Sequence, residues 1–140
     1  MQIRLDRRYR FTAGHLYRRP EWSEEENLAR FGKCAILPGH GHNYRLYVRV
    51  AGEVDPKTGF VVDLPALDAC VQETIIDRLD HRHINEAVEE FSPGRLIPSS
   101  ENLLLWMCQQ LQPAIPVGVT LISLRLEEDE DLAAEWISDP

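Results

Sequence analysis

The chain has 140 residues, 44% of them hydrophobic and 27% charged, which suits one folded domain over 1–140 and excludes a disordered chain. The formal charge of −8 is uneven: seven acids and no base follow Arg125, whereas residues 1–49 hold ten bases against five acids. The acidic total therefore does not exclude an anionic ligand near the N-terminal half.

Residues 2–14 alternate loosely through Ile3, Leu5, Tyr9, Phe11 and Ala13 and read as a strand, with His15 just past its end. Ser23, with Glu26 three residues on, is a capping box, so a short helix is expected up to Phe31, ended by Gly32. Residues 42–51 read as a clear strand. His42, Tyr44, Leu46, Val48 and Val50 lie on one face, and Asn43, Arg45, Tyr47 and Arg49 on the other. After a turn at 52–59, Phe60-Val61-Val62 reads as a short strand paired antiparallel with the preceding one.

Asp63 caps a helix with Pro65 in its first turn; Leu67, Cys70, Val71, Thr74, Ile75 and Leu79 recur at helical spacing. Residues 82–98 read as irregular. Ser99 caps a second long helix whose apolar face is Leu103, Leu104, Met107 and Leu111, and Cys70 and Cys108 fit helix core positions. Residues 119–127 read as a strand, with Thr120, Ile122, Leu124 and Leu126 on one side and Ser123, Arg125 and Glu127 on the other; 133–137 reads as a last short strand. The expected architecture is α+β, an antiparallel sheet with two helices on one face.

No apolar run reaches the ~20 residues of a membrane span. The first residues lack a signal-like apolar stretch, and no nucleic-acid motif or basic-aromatic stripe is present. Three cysteines at irregular spacing do not form a disulfide framework. A cytoplasmic protein with neither a membrane nor a nucleic-acid partner is expected.

Chemistry concentrates in Lys33-Cys34-Ala35-Ile36-Leu37-Pro38-Gly39-His40-Gly41-His42. Two histidines at i and i+2 on a strand share a face, which sets two imidazole nitrogens side by side for a divalent metal such as zinc. His15 is the nearest spare imidazole. Three histidines with one open position make a catalytic arrangement; Cys34 as a fourth ligand would close it into a structural one. If the site is open, Cys34 is free to act as base or nucleophile, its pKa lowered by nearby positive charge. Asp80-His81, just after a helix, reads either as an oriented acid–base pair or as a histidine favoured by the helix C-terminus. Glu127 ends an alternating strand, although it belongs to a charge run. Ser99-Ser100-Glu101 is at least a helix start, and His83 reads as a surface residue.

Together these pieces resemble one family. Phe11-Thr-Ala-Gly-His15, Glu25-Glu-Asn-Leu-Ala-Arg-Phe-Gly-Lys-Cys34, Gly39-His-Gly-His-Asn-Tyr44, Gly52-Glu-Val-Asp-Pro-Lys-Thr-Gly59, Val62-Asp-Leu64, Leu79-Asp-His81, Ser99-Ser-Glu-Asn102 and Glu127 are similar to the 6-pyruvoyltetrahydropterin and 6-carboxytetrahydropterin synthases. The resemblance covers roughly residues 3–137. It implies the tunnelling fold, a four-stranded antiparallel sheet with two helices, assembled as trimeric barrels stacked into hexamers. It implies zinc held by His15, His40 and His42, a proton-transfer group of Cys34, Asp80 and His81, and a pterin anchored by Glu127 with Ser99, Ser100 and Glu101. The family's sites lie between subunits.

The implied substrate is dihydroneopterin triphosphate. The implied reaction is a lyase step giving 6-pyruvoyltetrahydropterin and triphosphate. Two alternatives stand beside it. One is a carboxy-type synthase of the queuosine pathway that releases acetaldehyde. The other is a non-catalytic pterin-binding protein whose structural zinc is closed by Cys34 together with the three histidines. The Cys-x5-His-Gly-His spacing and the 19-residue step from His15 to Cys34 resemble the pyruvoyl type. Two departures stand out: Glu128 follows Glu127 where the family often has Thr, and serines replace threonines at 99 and 100.

Overall fold

The first two long strands form the spine of the molecule. β1 (Ile3–His15) and β2 (His40–Gly52) pair antiparallel over their full length, from Ile3 opposite Gly52 to His15 opposite His40. The computed structural model describes residues 1–140. Between these strands the chain forms α1 (Glu24–Phe31), entered where the Ser23 hydroxyl accepts the Glu26 N–H, and a 3₁₀ turn at Gly32–Ala35.

A helical column follows β2: α2 (Leu64–Val71), a π-helical stretch at Gln72–Ile76 and α3 (Asp77–Leu79). Asp63 caps it by accepting the Ala66 N–H, with Pro65 in the first turn. After α3 come β3 (Arg82–His83), the short α4 (Ile84–Ala87), α5 (Ser100–Leu111), β4 (Thr120–Glu127) and β5 (Ala133–Ile137). The sheet order is β3-β1-β2-β4-β5.

The α+β class holds, but the sheet differs from a four-stranded antiparallel one. It has five strands and is mixed, because β3 pairs parallel with β1 at Ala13–Gly14. Two residues carry no readable periodicity, and β3 exists because the edge of β1 is open there. The strand expected at 60–62 does not form. The Phe60 carbonyl instead accepts the Asp55 N–H, while the Asp55 side chain accepts N–H groups of Lys57 and Thr58. β2 has no free edge to offer a strand there, since β1 flanks it on one side and β4 on the other over Arg45–Ala51. The 82–98 region is also more ordered than expected. Asn85 ties it to the exit of β1, accepting the Leu16 N–H at 2.8 Å and donating to the Leu16 carbonyl at 2.9 Å.

The core lies between one sheet face and the helices. Tyr44, Leu46, Val48 and Val50 of β2 meet Leu67, Val71, Ile75, Leu79, Leu103, Met107 and Leu111. On β4 the inward set is Leu121, Leu124 and Leu126 rather than the even-numbered run 120–126. The β2–β4 register shifts at Arg49/Val50, and this bulge turns the inward side over around Ile122. Cys108 is buried, but Cys70 is only half-buried, with its thiol donating to the Ala114 carbonyl at 3.1 Å.

Candidate active site

Strand register builds the site. Because His15 pairs with His40, and Ala13 with His42, all three imidazoles project from the helix-covered side at one end of the spine. Their ring centroids lie 4.9 Å apart in every pairing. Gly39 permits the approach of the loop. It has φ +104°, and a Cβ there would sit 2.1 Å from the His15 carbonyl oxygen.

His15 is fully buried. Its Nδ1 lies 3.0 Å from the Tyr44 hydroxyl, while its Nε2 has no hydrogen-bond partner. Burial, reinforced by His42 and His40, pushes its pKa down to about 3, so the ring is neutral at physiological pH. A neutral imidazole with one nitrogen oriented and the other free is the ligand form a metal requires.

Cys34 is carried in by the 3₁₀ turn. Its carbonyl accepts the Tyr17 N–H at 2.8 Å, and its Sγ lies 3.5 Å from His40 Nε2. Burial raises the thiol pKa, and the neighbouring Glu128 raises it further. The chain itself thus places a carboxylate beside the sulfur, and the positive charge that would acidify the thiol is left to a bound cation.

Glu128 is not among the expected site residues. It is only 7% exposed, and its Oε1 lies 3.5 Å from His42 Nε2 and 3.7 Å from His15 Nδ1. Ligand atoms from His15, Cys34 and His40, and separately from His15, His42 and Glu128, lie within 4.8 Å of one another. The donors fit a divalent metal, and the unpartnered Nε2 of the buried His15 supports that fit.

Asp80 and His81 form a second cluster. The Asp80 carboxylate accepts the Thr12 N–H at 2.9 Å and lies 3.0 Å from His81 Nδ1. The Thr12 amide foremost, with His81 adding to it, holds the Asp80 pKa below its ordinary value. His81 adopts φ 60°, the left-handed region uncommon for a non-glycine residue. Its side chain is 81% exposed, in a shallow cleft with Gly14, Gly41 and His83. No hydrogen bond or ion pair joins Cys34 to Asp80 or His81. His83 is half-buried rather than a surface residue, with Nε2 2.9 Å from the Pro38 carbonyl oxygen.

Ser99 caps α5 by accepting the Asn102 N–H; Ser100 is buried with an unpartnered Oγ, and Glu101 is exposed. Glu127 pairs with Arg45, on the sheet face opposite the one carrying Leu126 and the imidazoles. Within one chain, then, Cys34 joins the three imidazoles and Asp80 joins His81, while Glu127 stands apart from both.

The family model described as 6-pyruvoyl tetrahydropterin synthase matches residues 4–137. The chain is 38% identical over 130 residues to a 6-pyruvoyl tetrahydrobiopterin synthase of Pongo abelii, covering 93% of this chain and 88% of that one. It is 40% identical over 118 residues to the Homo sapiens protein of the same name, covering 84% and 80%. The solved structure of Caenorhabditis elegans 6-pyruvoyl tetrahydropterin synthase superposes with a TM-score of 0.88 at 31% identity, covering 99% of this chain and 97% of that one.

Proposed function

The chain belongs to the 6-pyruvoyl tetrahydropterin synthase family, and from that premise we propose that it is a metal-dependent lyase. Its substrate is dihydroneopterin triphosphate and its products are 6-pyruvoyltetrahydropterin and triphosphate. The observation that carries this reading is the neutral, buried His15 set opposite His40 and beside His42, with the Cys34 thiol 3.5 Å from His40.

His15, His40 and His42 hold the metal, and we assign it as zinc from the imidazole-rich donor set. Bound zinc supplies positive charge that acidifies a substrate hydroxyl, the adjacent C–H and the nearby thiol. Cys34 is the base that takes the carbon-bound proton. His81, oriented by Asp80 through its 3.0 Å contact, delivers and receives protons on the other side of the substrate. The triphosphate leaves as an anion toward the basic N-terminal half.

Glu127 anchors the pterin ring, one carboxylate accepting two adjacent N–H donors. Ser99, Ser100 and Glu101 line the approach at the start of α5. Glu127 and the imidazoles occupy opposite sheet faces, and His81 does not touch Cys34. Both facts support a site completed by a second copy of the chain; a homo-oligomer built as a dimer of trimers is what the family resemblance implies for it.

Incubation with dihydroneopterin triphosphate, followed by mass analysis, tests the reading. A 6-pyruvoyl product with triphosphate is expected. A 6-carboxy product with acetaldehyde would assign the chain to the carboxy branch, and an unchanged substrate would refute the enzymatic reading.

A further inference from the structure

Glu128 stands at the end of the buried side of β4, two residues beyond Leu126 and four beyond Leu124, both fully buried. The acids that follow it, Asp129, Glu130 and Asp131, are exposed. A turn separates them: the Asp129 side chain accepts the N–H groups of Asp131 and Leu132, and the Glu128 N–H donates to the Leu132 carbonyl at 3.0 Å. The hairpin to β5 therefore keeps one acid of the run inside and leaves the rest in solvent.

What surrounds the buried carboxylate is unusual. The Tyr17 hydroxyl donates to its Oε1 at 3.4 Å, and the Tyr17 ring lies against His15 with centroids 4.4 Å apart. The other neighbours of Oε1 are His42 Nε2 at 3.5 Å and His15 Nδ1 at 3.7 Å. No lysine or arginine pairs with it. A carboxylate withdrawn from water requires a positive partner or full hydrogen bonding. One long phenol hydrogen bond does not meet that need, whereas a divalent cation among these imidazoles does.

Resting on the reading that the imidazoles hold a divalent metal, we propose that Glu128 is itself part of the metal-holding set. Its carboxylate is a resident donor beside His15 and His42, and the Tyr17 phenol sets its position. A threonine at this place could offer only a neutral hydroxyl, so the site of this chain carries one more negative charge than such a site would. That charge strengthens cation binding and leaves the metal partly neutralised before substrate arrives.

The test uses the full-length protein, stripped with a chelator and titrated with Zn²⁺ against a competing chelator, then with Co²⁺ while its visible absorption is followed. Wild type, E128Q, E128T and H42A are compared. E128Q and E128T are expected to weaken Zn²⁺ binding at least about tenfold and to change the shape of the Co²⁺ bands, which a role confined to folding would leave alone. Metal-free E128Q is expected to melt no lower than metal-free wild type, because it loses a buried charge, and to gain less in Tm when Zn²⁺ is added. Wild-type affinity and an unchanged Co²⁺ spectrum in E128Q, alongside a loss in H42A, would overturn the role of Glu128 and leave the histidine site standing. Equal binding by wild type and H42A would overturn the metal site itself, and this inference with it.

Discussion

The Tyr44 hydroxyl lies 3.0 Å from His15 Nδ1 and leaves Nε2 as the free nitrogen of that ring. Tyr44 also stacks on Phe11, with centroids 4.8 Å apart and an interplanar angle of 9°. Tyr44→Phe keeps the stack and removes only the orienting hydroxyl. It is expected to weaken metal binding by about 10–100-fold without loss of fold. Chelator competition and circular dichroism check both halves.

Cys34 tests the division of labour within the site. Cys34→Ala is expected to retain metal stoichiometry and pterin binding while turnover falls at least about 100-fold, the lower range for loss of a positioned base. Elemental analysis and single-turnover rates separate the two effects. Loss of metal together with activity would instead favour Cys34 as a ligand, in the closed arrangement.

Stability of the metal-free protein depends on pH in two windows. The folded pKa of His15 is depressed from 6.5 to about 3, so the unfolded chain takes up the proton first. The stability tied to neutral His15 is present above 6.5 and is lost as pH falls toward about 3. Asp6, Asp68 and Asp80 are held below 3.8 by the Arg49 side chain, the Arg7 side chain and the Thr12 amide respectively. Their contribution is lost only below that value. The urea midpoint is therefore expected to decline from about pH 7 to about 4 and more steeply below about 4. His15→Gln should flatten the upper window. Asp68→Asn should soften the lower one by under about 1 kcal/mol, since the Arg7–Asp68 pair is largely exposed.

Asn27 fixes the segment that delivers Cys34. It is 1% exposed and accepts the Arg19 N–H at 2.7 Å while donating to the carbonyls of Arg19, Trp22 and Ser23. Asn27→Leu strips the partner from the Arg19 N–H and the Trp22 carbonyl, while the Arg19 and Ser23 carbonyls keep the backbone N–H groups of Trp22 and residue 27; it is expected to cost about 1–3 kcal/mol, read as a lowered urea midpoint.

The imidazole cluster is legible because its geometry follows from period-two alternation: His40 and His42 share a face by spacing alone, and strand pairing adds His15. The helix starts at Ser23, Asp63 and Ser99 are legible because capping is local chemistry. What escapes depends on distant partners. Nothing near Asn27 or Asn85 in the chain marks them as buried clamps. The bulge at Arg49/Val50 shifts which residues of β4 face inward, and only the paired strands reveal it. Glu128 is partly readable, since Leu124, Leu126 and Glu128 continue one alternation. Its place in a run of acids makes solvent the default, and only the turn at Asp129 shows that it stays inside.

The most direct measurement is turnover of dihydroneopterin triphosphate by protein stripped of metal and then restored with one equivalent of Zn²⁺ per chain. Stripped protein is expected to be inactive. Restored protein is expected to yield 6-pyruvoyltetrahydropterin with one triphosphate per substrate consumed, and His40→Ala is expected not to recover. Equal rates before and after zinc, or recovery in His40→Ala, would contradict a lyase centred on the three imidazoles.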